Sequence, residues 1–294
     1  MTFVLKSKRT DSALAKVVGG QDKGKFLYLE NRKKLLSDLP KKYTDTLSDV
    51  EKQKIQDALT EGLEPSEIEL EDLYYNTLEE FNKMKTRGFV LRGGGKLQPL
   101  PNPKRVEKLY ICGISGSGKS TYASKWIREY LKANKDNEMY IFSTVDEDEP
   151  LDKLDPIRVD LDGLMENPVS LEELRDSVCL FDDCATISDP RLRKYVIDLM
   201  SHLLEVGRHY NITVVNTAHV ILDYKNSRKI LNEATSVTIY PHVGSNVLNK
   251  KYLEHYAGFD SKQIAKILNL PSRWVSLYRT FPNFVLYEKG AYLV

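Results

Sequence analysis

No long apolar run occurs anywhere in the 294 residues. The opening MTFVLKSKRTD also lacks the apolar core of a secretion signal. The expectation is a soluble chain with no membrane span. Cysteine is scarce: three in a chain of this size make no disulfide framework and suit a reducing compartment. Cys112 and Cys179 fall in predicted strands as small buried hydrophobes, and Cys184 follows an acidic pair without C-x-x-C or histidine spacing. The five histidines show no H-E-x-x-H or other metal-ligand spacing. An excess of one charge is missing too, with 43 Lys plus Arg against 42 Asp plus Glu. Any contact with nucleic acid is therefore local or built by oligomerisation.

What the chain does have is YICGISGSGKSTYASKWI, residues 110–127. Gly113, four residues, then Gly118, Lys119 and Ser120 match the phosphate-binding pattern G-x-x-x-x-G-K-S/T. Small residues free successive backbone N–H groups to curl around a polyphosphate. In this pattern Lys119 reaches the outer phosphates and the Ser120 hydroxyl holds Mg²⁺. The candidate nucleotide-binding set is Gly113, Ser115, Gly116, Ser117, Gly118, Lys119, Ser120 and Thr121. VEKLYIC (106–112) before it is rich in strand formers. After it, Tyr122, Trp126 and Tyr130 recur every fourth residue beside Ala123, Ile127 and Leu131, one face of a helix. Strand, glycine loop and helix come in the order that puts phosphate at a helix N-terminus.

The first hundred residues carry no chemical motif. AKVVGGQDKGKFLYLE predicts two strands around a turn. Two helices are expected next, opening on capping boxes Ser48/Glu51 and Ser66/Glu69, the second presenting Leu70, Tyr74, Leu78 and Phe81 and ending near Gly88. FVLRGGGKLQPLPNPKR (89–105) reads as a junction. From 106 onward strands and helices alternate, which predicts an α/β fold with a mainly parallel sheet covered on both faces. The strands are EMYIFST, VCLFDD, ITVVNTAH and SVTIYPH. SLEELRDS (170–177) predicts a short helix with a Ser170/Glu173 box, and Asp189-Pro190 opens a long one. Asp146 to Glu149 read as a solvated acidic loop. The expected organisation is an α+β region over 1–105, a nucleotide-binding core over 106–245, and C-terminal helices with a hairpin over 246–294.

Hydrolysis needs an acid at the end of a neighbouring strand. VCLFDD supplies Asp182 as magnesium partner and Asp183 to orient water. Asn216-Thr217-Ala218-His219 is a third polar strand end at the edge where parallel sheets bind ligands. His219 there is either a γ-phosphate contact or an ordinary hydrogen-bonded histidine. Among arginines that could reach the γ-phosphate, in cis or from a neighbouring subunit, Arg208 ranks first, before Arg191, Arg193 and Arg228. SKQIAKILNLPSRWVSLYR (261–279) has the spacing of a helix-turn-helix, in which Arg273 and Arg279 would meet phosphates. The aromatic and β-branched run after it favours a helix followed by a β-hairpin instead.

YICGISGSGKST, CLFDD and GRHYNITVVNTAH, in that order, resemble the genome-packaging ATPases of large nucleocytoplasmic DNA viruses, a branch of the FtsK–HerA motor class. The resemblance covers about residues 106–245. It implies ATP and Mg²⁺ as cofactors, Lys119 and Ser120 on ATP–Mg²⁺, Asp182 on the metal, Asp183 as catalytic acid, and Arg208 at a subunit interface. It also implies a homo-oligomeric ring acting on double-stranded DNA, with capsid or virion proteins as partners, in the host cytoplasm, the viral factory or the virion. The chain departs from the family where His219 stands in the place of a sensor glutamine. Two other classes fit a phosphate loop: a nucleoside or nucleotide kinase, and a virion or scaffold protein switched by nucleotide. The doubled acid favours hydrolysis over transfer to a small acceptor.

Overall fold

In the computed structural model, residues 1–30, 35–85, 88–223 and 227–294 are described, with the side chains of 82–85 outside that description. The chain opens with strands β1 (Thr2–Lys6), β2 (Ala15–Val18) and β3 (Phe26–Glu30). Helices α1 (Lys41–Thr44), α2 (Asp49–Glu61) and α3 (Glu71–Lys85) follow, then β4 (Phe89–Val90) and β5 (Lys96–Pro99). The small antiparallel sheet runs β1-β3-β2-β5. The helix α2 starts on the expected box, with Glu51 N–H donating to Ser48 Oγ at 3.3 Å and Ser48 N–H to Glu51 Oε2 at 2.8 Å. The second box sits elsewhere than the Ser66/Glu69 spacing suggests. Glu64 and Glu67 form it around a 3-10 turn at Pro65–Glu67, because Pro65 fixes the backbone two residues earlier. The stop expected at Gly88 borders residues 86–87, outside the described residues.

The core begins with β6 (Lys108–Cys112), α4 (Lys119–Ala133), β7 (Glu138–Phe142), α5 (Glu149–Asp152) and β8 (Ile157–Arg158). It continues through β9 (Ser177–Asp182), α6 (Pro190–Val206), β10 (Ile212–Ala218), α7 (Ser227–Glu233) and β11 (Ser236–Ile239). Last come α8 (Val247–His255), α9 (Ser261–Leu268), β12 (Val275–Tyr278), β13 (Phe284–Tyr287) and β14 (Gly290–Leu293). Among the described residues these strands and β4 form one ten-stranded sheet, ordered β4-β14-β13-β12-β11-β6-β10-β9-β7-β8. The six strands from β11 to β8 are parallel, and the other four add antiparallel pairs at one side. The fold is thus α/β with a largely parallel sheet flanked by helices.

Residues alternate along each central strand between two cores, as a sheet buried on both faces requires. Tyr110, Cys179, Phe181, Val214 and Val237 pack with α6, α7 and α9 on one side. Leu109, Ile111, Val178, Leu180 and Val215 pack with α4 on the other, joined by Ala15, Val17, Leu27 and Leu97 of the small sheet. The small sheet therefore covers α4. Glu129 of α4, 3% exposed, anchors it by pairing with Lys16 at 2.6 Å and Arg9 at 3.1 Å. Burial works against its charge, but hydrogen bonds from Lys16 and Lys132 outweigh that and hold the carboxyl below its ordinary value.

Two local expectations change. Residues 171–174 are a turn rather than a helix, although Ser170 and Glu173 exchange their reciprocal hydrogen bonds. The left-handed Asp176 stops the turn before β9. The acidic run is only partly loop, since Asp148 caps the short helix α5. At the C-terminus α9 leads into β12, so residues 261–279 form a helix and a strand and not a helix-turn-helix.

Candidate functional site

The loop between β6 and α4 depends on glycine at two positions. At Gly118 φ is +105°, a conformation that L side chains rarely adopt. At Gly113 a Cβ would lie 2.7 Å from both Ser117 Oγ and the Tyr240 ring, so the loop could not close against β11's end. Lys119 and Ser120 then open α4, where unpaired backbone N–H groups and the helix dipole favour an anion.

Register brings the acids beside it. Cys112, the last residue of β6, pairs with Ala218, and Thr217 pairs with Asp182. The ends of β6, β9 and β10 therefore meet at one edge of the sheet. Lys119 Nζ lies 3.5 Å from Asp183 Oδ2, and the same oxygen is 3.0 Å from His219 Nε2. Lys119 is 7% exposed and Asp182 8% exposed. Asp183 turns the chain in the left-handed region, at φ 48°. Its backbone N–H is held by Thr217 Oγ1 at 3.2 Å, while its Oδ1 is buried without a partner.

The Thr217 hydroxyl donates to Asp182 Oδ1 at 2.6 Å. Asp182 Oδ2 has only a 3.5 Å contact from Ser143 Oγ. Burial pushes the Asp182 carboxyl above its ordinary value; Asp183 and Asp148 add to the rise, and Thr217 and Lys119 oppose it. A half-free carboxylate that burial destabilises is suited to a cation. Among the described residues no three His, Cys, Asp or Glu side chains gather as a metal cage. One carboxylate and a hydroxyl, completed by phosphate oxygens and water, is what Mg²⁺ accepts.

The structure does not bring Arg208 to this edge. It is exposed in the 3-10 turn Gly207–Tyr210, just before Ile212, which pairs with the first residue of β9. The length of β10 separates it from Lys119 by roughly 20 Å. Arg193 is occupied with the Ile187 carbonyl at 2.8 Å, while Arg191 and Arg228 are exposed. Three contributors escape a reading of motifs. Thr217 stands in the polar strand end but gains its role only through register with Asp182. Ser143 follows β7 and reaches the same carboxylate. Arg273, which the helix-turn-helix spacing assigns to DNA phosphates, instead grips the loop, with Nε donating to Ser117 O at 3.0 Å and Nη2 to Gly116 O at 3.4 Å. No sequence signal pairs residue 273 with residue 117.

No protein-family model matches the chain. The "Uncharacterized protein V3" of Sputnik virophage is 41% identical over 215 residues, 72% of this chain and 86% of that protein. Among solved structures, the genome packaging NTPase B204 of Sulfolobus turreted icosahedral virus 2 with ATP-gammaS is 11% identical, with a TM-score of 0.45 over 63% of this chain and 97% of that one. The pCW3 conjugation coupling protein TcpA with ATPgS is 13% identical, with a TM-score of 0.45 over 95% of this chain and 77% of that one. Among the described residues no helix is long and apolar enough to cross a membrane. At this identity and coverage, the chain belongs to the family of virophage protein V3.

Proposed function

We propose that this chain is a Mg²⁺-dependent ATPase whose hydrolysis drives double-stranded DNA into a viral capsid. The observation that carries the hydrolytic part is the contact of Lys119, Asp183 and His219 at one sheet edge, directly beside the glycine loop. The packaging part rests on the motif resemblance and on a virophage relative.

In this reading the backbone of residues 113–120 binds the polyphosphate, and Lys119 leaves Asp183 for the β- and γ-phosphates. Ser120 and Asp182 would hold Mg²⁺, which neutralises phosphate charge when bound. Asp183 then orients the attacking water and takes its proton. His219 keeps the carboxylate aimed and lies where loss of the γ-phosphate would be felt. Arg208 acts only from a neighbouring subunit, because its own sheet separates it from its own site. That arrangement calls for a homo-oligomeric ring, working beside capsid or virion proteins in the viral factory or the virion.

Phosphate release with and without duplex DNA, combined with particle size in solution with ATP, tests this directly. DNA-stimulated release from a ring is the expected result. Phosphoryl transfer to a nucleoside in place of release, or tight binding with no turnover on any DNA, contradicts it.

A further inference from the structure

Arg273 stands in the corner between α9 and β12 and reaches back 156 residues to the glycine loop. Its guanidinium spends its hydrogen bonds on two loop carbonyls, Nε on Ser117 O at 3.0 Å and Nη2 on Gly116 O at 3.4 Å. A Cβ at Gly118 would lie 3.4 Å from the same guanidinium, so the group rests directly against the loop. Carbonyls carry no charge to cancel its own. The neighbouring carboxylate of Glu288 is engaged elsewhere. Its Oε2 accepts the Arg273 backbone N–H at 2.8 Å, and its Oε1 pairs with Lys96 at 2.7 Å. Burial works against that carboxylate, but the hydrogen bonds from Arg273 N–H and Lys96 hold it below its ordinary value. A positive charge is thus placed on the carbonyl side of a loop whose N–H side suits an anion.

We propose that Arg273 is a positioning residue that fixes the anion-binding face of the phosphate loop and ties it to the amino-terminal sheet. The inference rests on the nucleotide reading above and deepens it by naming what sets the shape of the loop. In a planar trans peptide the C=O and the N–H point opposite ways. Holding the Ser117 carbonyl therefore turns the Gly118 N–H to the other side of the loop, and the nearby cation polarises that donor. The peptide before it is held from both edges, because Arg273 takes the Gly116 carbonyl while Ser117 N–H donates to Ile114 O at 3.1 Å. Arg273 does this without touching the nucleotide. The other end of the connection is β5. Leu97 N–H donates to Glu288 O at 2.8 Å, Lys289 Nζ to Gly95 O at 2.6 Å, and Lys96 pairs with Glu288. Glu288 N–H in turn donates to Ser272 Oγ at 2.9 Å, which joins the turn after β13 to the corner that carries Arg273. A shift of the amino-terminal sheet thereby reaches the phosphate loop through residues 288 and 273.

Full-length protein is titrated with Mg-ATP and Mg-tripolyphosphate by calorimetry, and the Tm of each ligand-free variant is recorded. Arg273→Met should weaken both ligands alike, about ten- to thirtyfold, with Tm within about two degrees of the parent. Arg273→Lys should recover binding to within about fivefold of the parent, since an ammonium still reaches one carbonyl. Glu288→Gln should weaken both ligands about three- to fivefold in the parent and add nothing once Arg273 is Met, because its effect passes through that residue. Parental affinity in Arg273→Met overturns the proposal. So does a loss confined to Mg-ATP, which makes Arg273 a nucleoside contact, or a loss with lowered Tm that lysine does not recover, which makes its role structural. Additive effects of Glu288→Gln and Arg273→Met overturn the link to the amino-terminal sheet. Failure of the parent to bind either ligand overturns the nucleotide reading itself.

Discussion

The two ends of the central strands differ sharply. At their carboxyl ends Lys119, Asp182, Asp183, Thr217 and His219 crowd around one corner, mostly buried and in mutual contact. At their amino ends Arg208 is exposed, and Asn211 pairs with Asp176 in solvent at 2.7 Å. Burying like charges is costly unless something compensates, and the rise in the Asp182 carboxyl's proton affinity shows part of that cost. Left-handed residues occur at both ends, Asp183 at one and Asp176 and Asn211 at the other, but the carboxyl end gathers its charges into one contact. On the proposed function, the amino end enters the chemistry as a neighbour's surface.

The contrast breaks most visibly at the loop lysine. Lys119→Ala should lower nucleotide affinity by on the order of a thousandfold or more, because it removes the cation that the polyphosphate meets. Calorimetry with Mg-ATP reads this, and near-parental affinity would place the nucleotide elsewhere. Arg208→Ala probes the opposite end. If a neighbour uses that surface, turnover in the assembled state should fall about a thousandfold with binding unchanged. Unaltered turnover would confine all catalysis to the carboxyl edge. Thr217→Val is finer, since it strips Asp182 of its hydrogen bond while keeping the side-chain shape. Activation by Mg²⁺ should then need about 10- to 100-fold more metal.

The smallest effect is on stability. Because the Asp182 carboxyl binds its proton more tightly in the folded chain, ionising it costs the fold. The penalty is absent below the unfolded-state pKa and complete above the folded one. Asp182→Asn should therefore abolish turnover yet leave Tm at neutral pH unchanged or a few degrees higher. The gain should vanish on acidification through the carboxylate range. A lower Tm at neutral pH would mean that the carboxylate stabilises the fold.

The glycine loop and the paired aspartates were legible in the sequence because each is local. Residues 110–127 contain their own strand, turn and helix, and Asp182 and Asp183 end an apolar run. Their contact with each other was not legible, since it follows from strand order and from Thr217 standing opposite Asp182. The same holds for Arg273 on Ser117, 156 residues apart, and for Phe89, whose strand pairs with Ala291 at the far side of the sheet. The amino-terminal strands were readable, but not their attachment to α4 through Glu129. The 170–177 segment failed for a different reason. A capping box needs only four residues, and this one closes a turn that never propagates into a helix.

The central claim is that Asp183 performs chemistry rather than binding. Single-turnover phosphate release by Asp183→Asn at saturating Mg-ATP tests it most directly. Parental ATP affinity with release slowed on the order of a thousandfold is the predicted result, and release at the parental rate would contradict it.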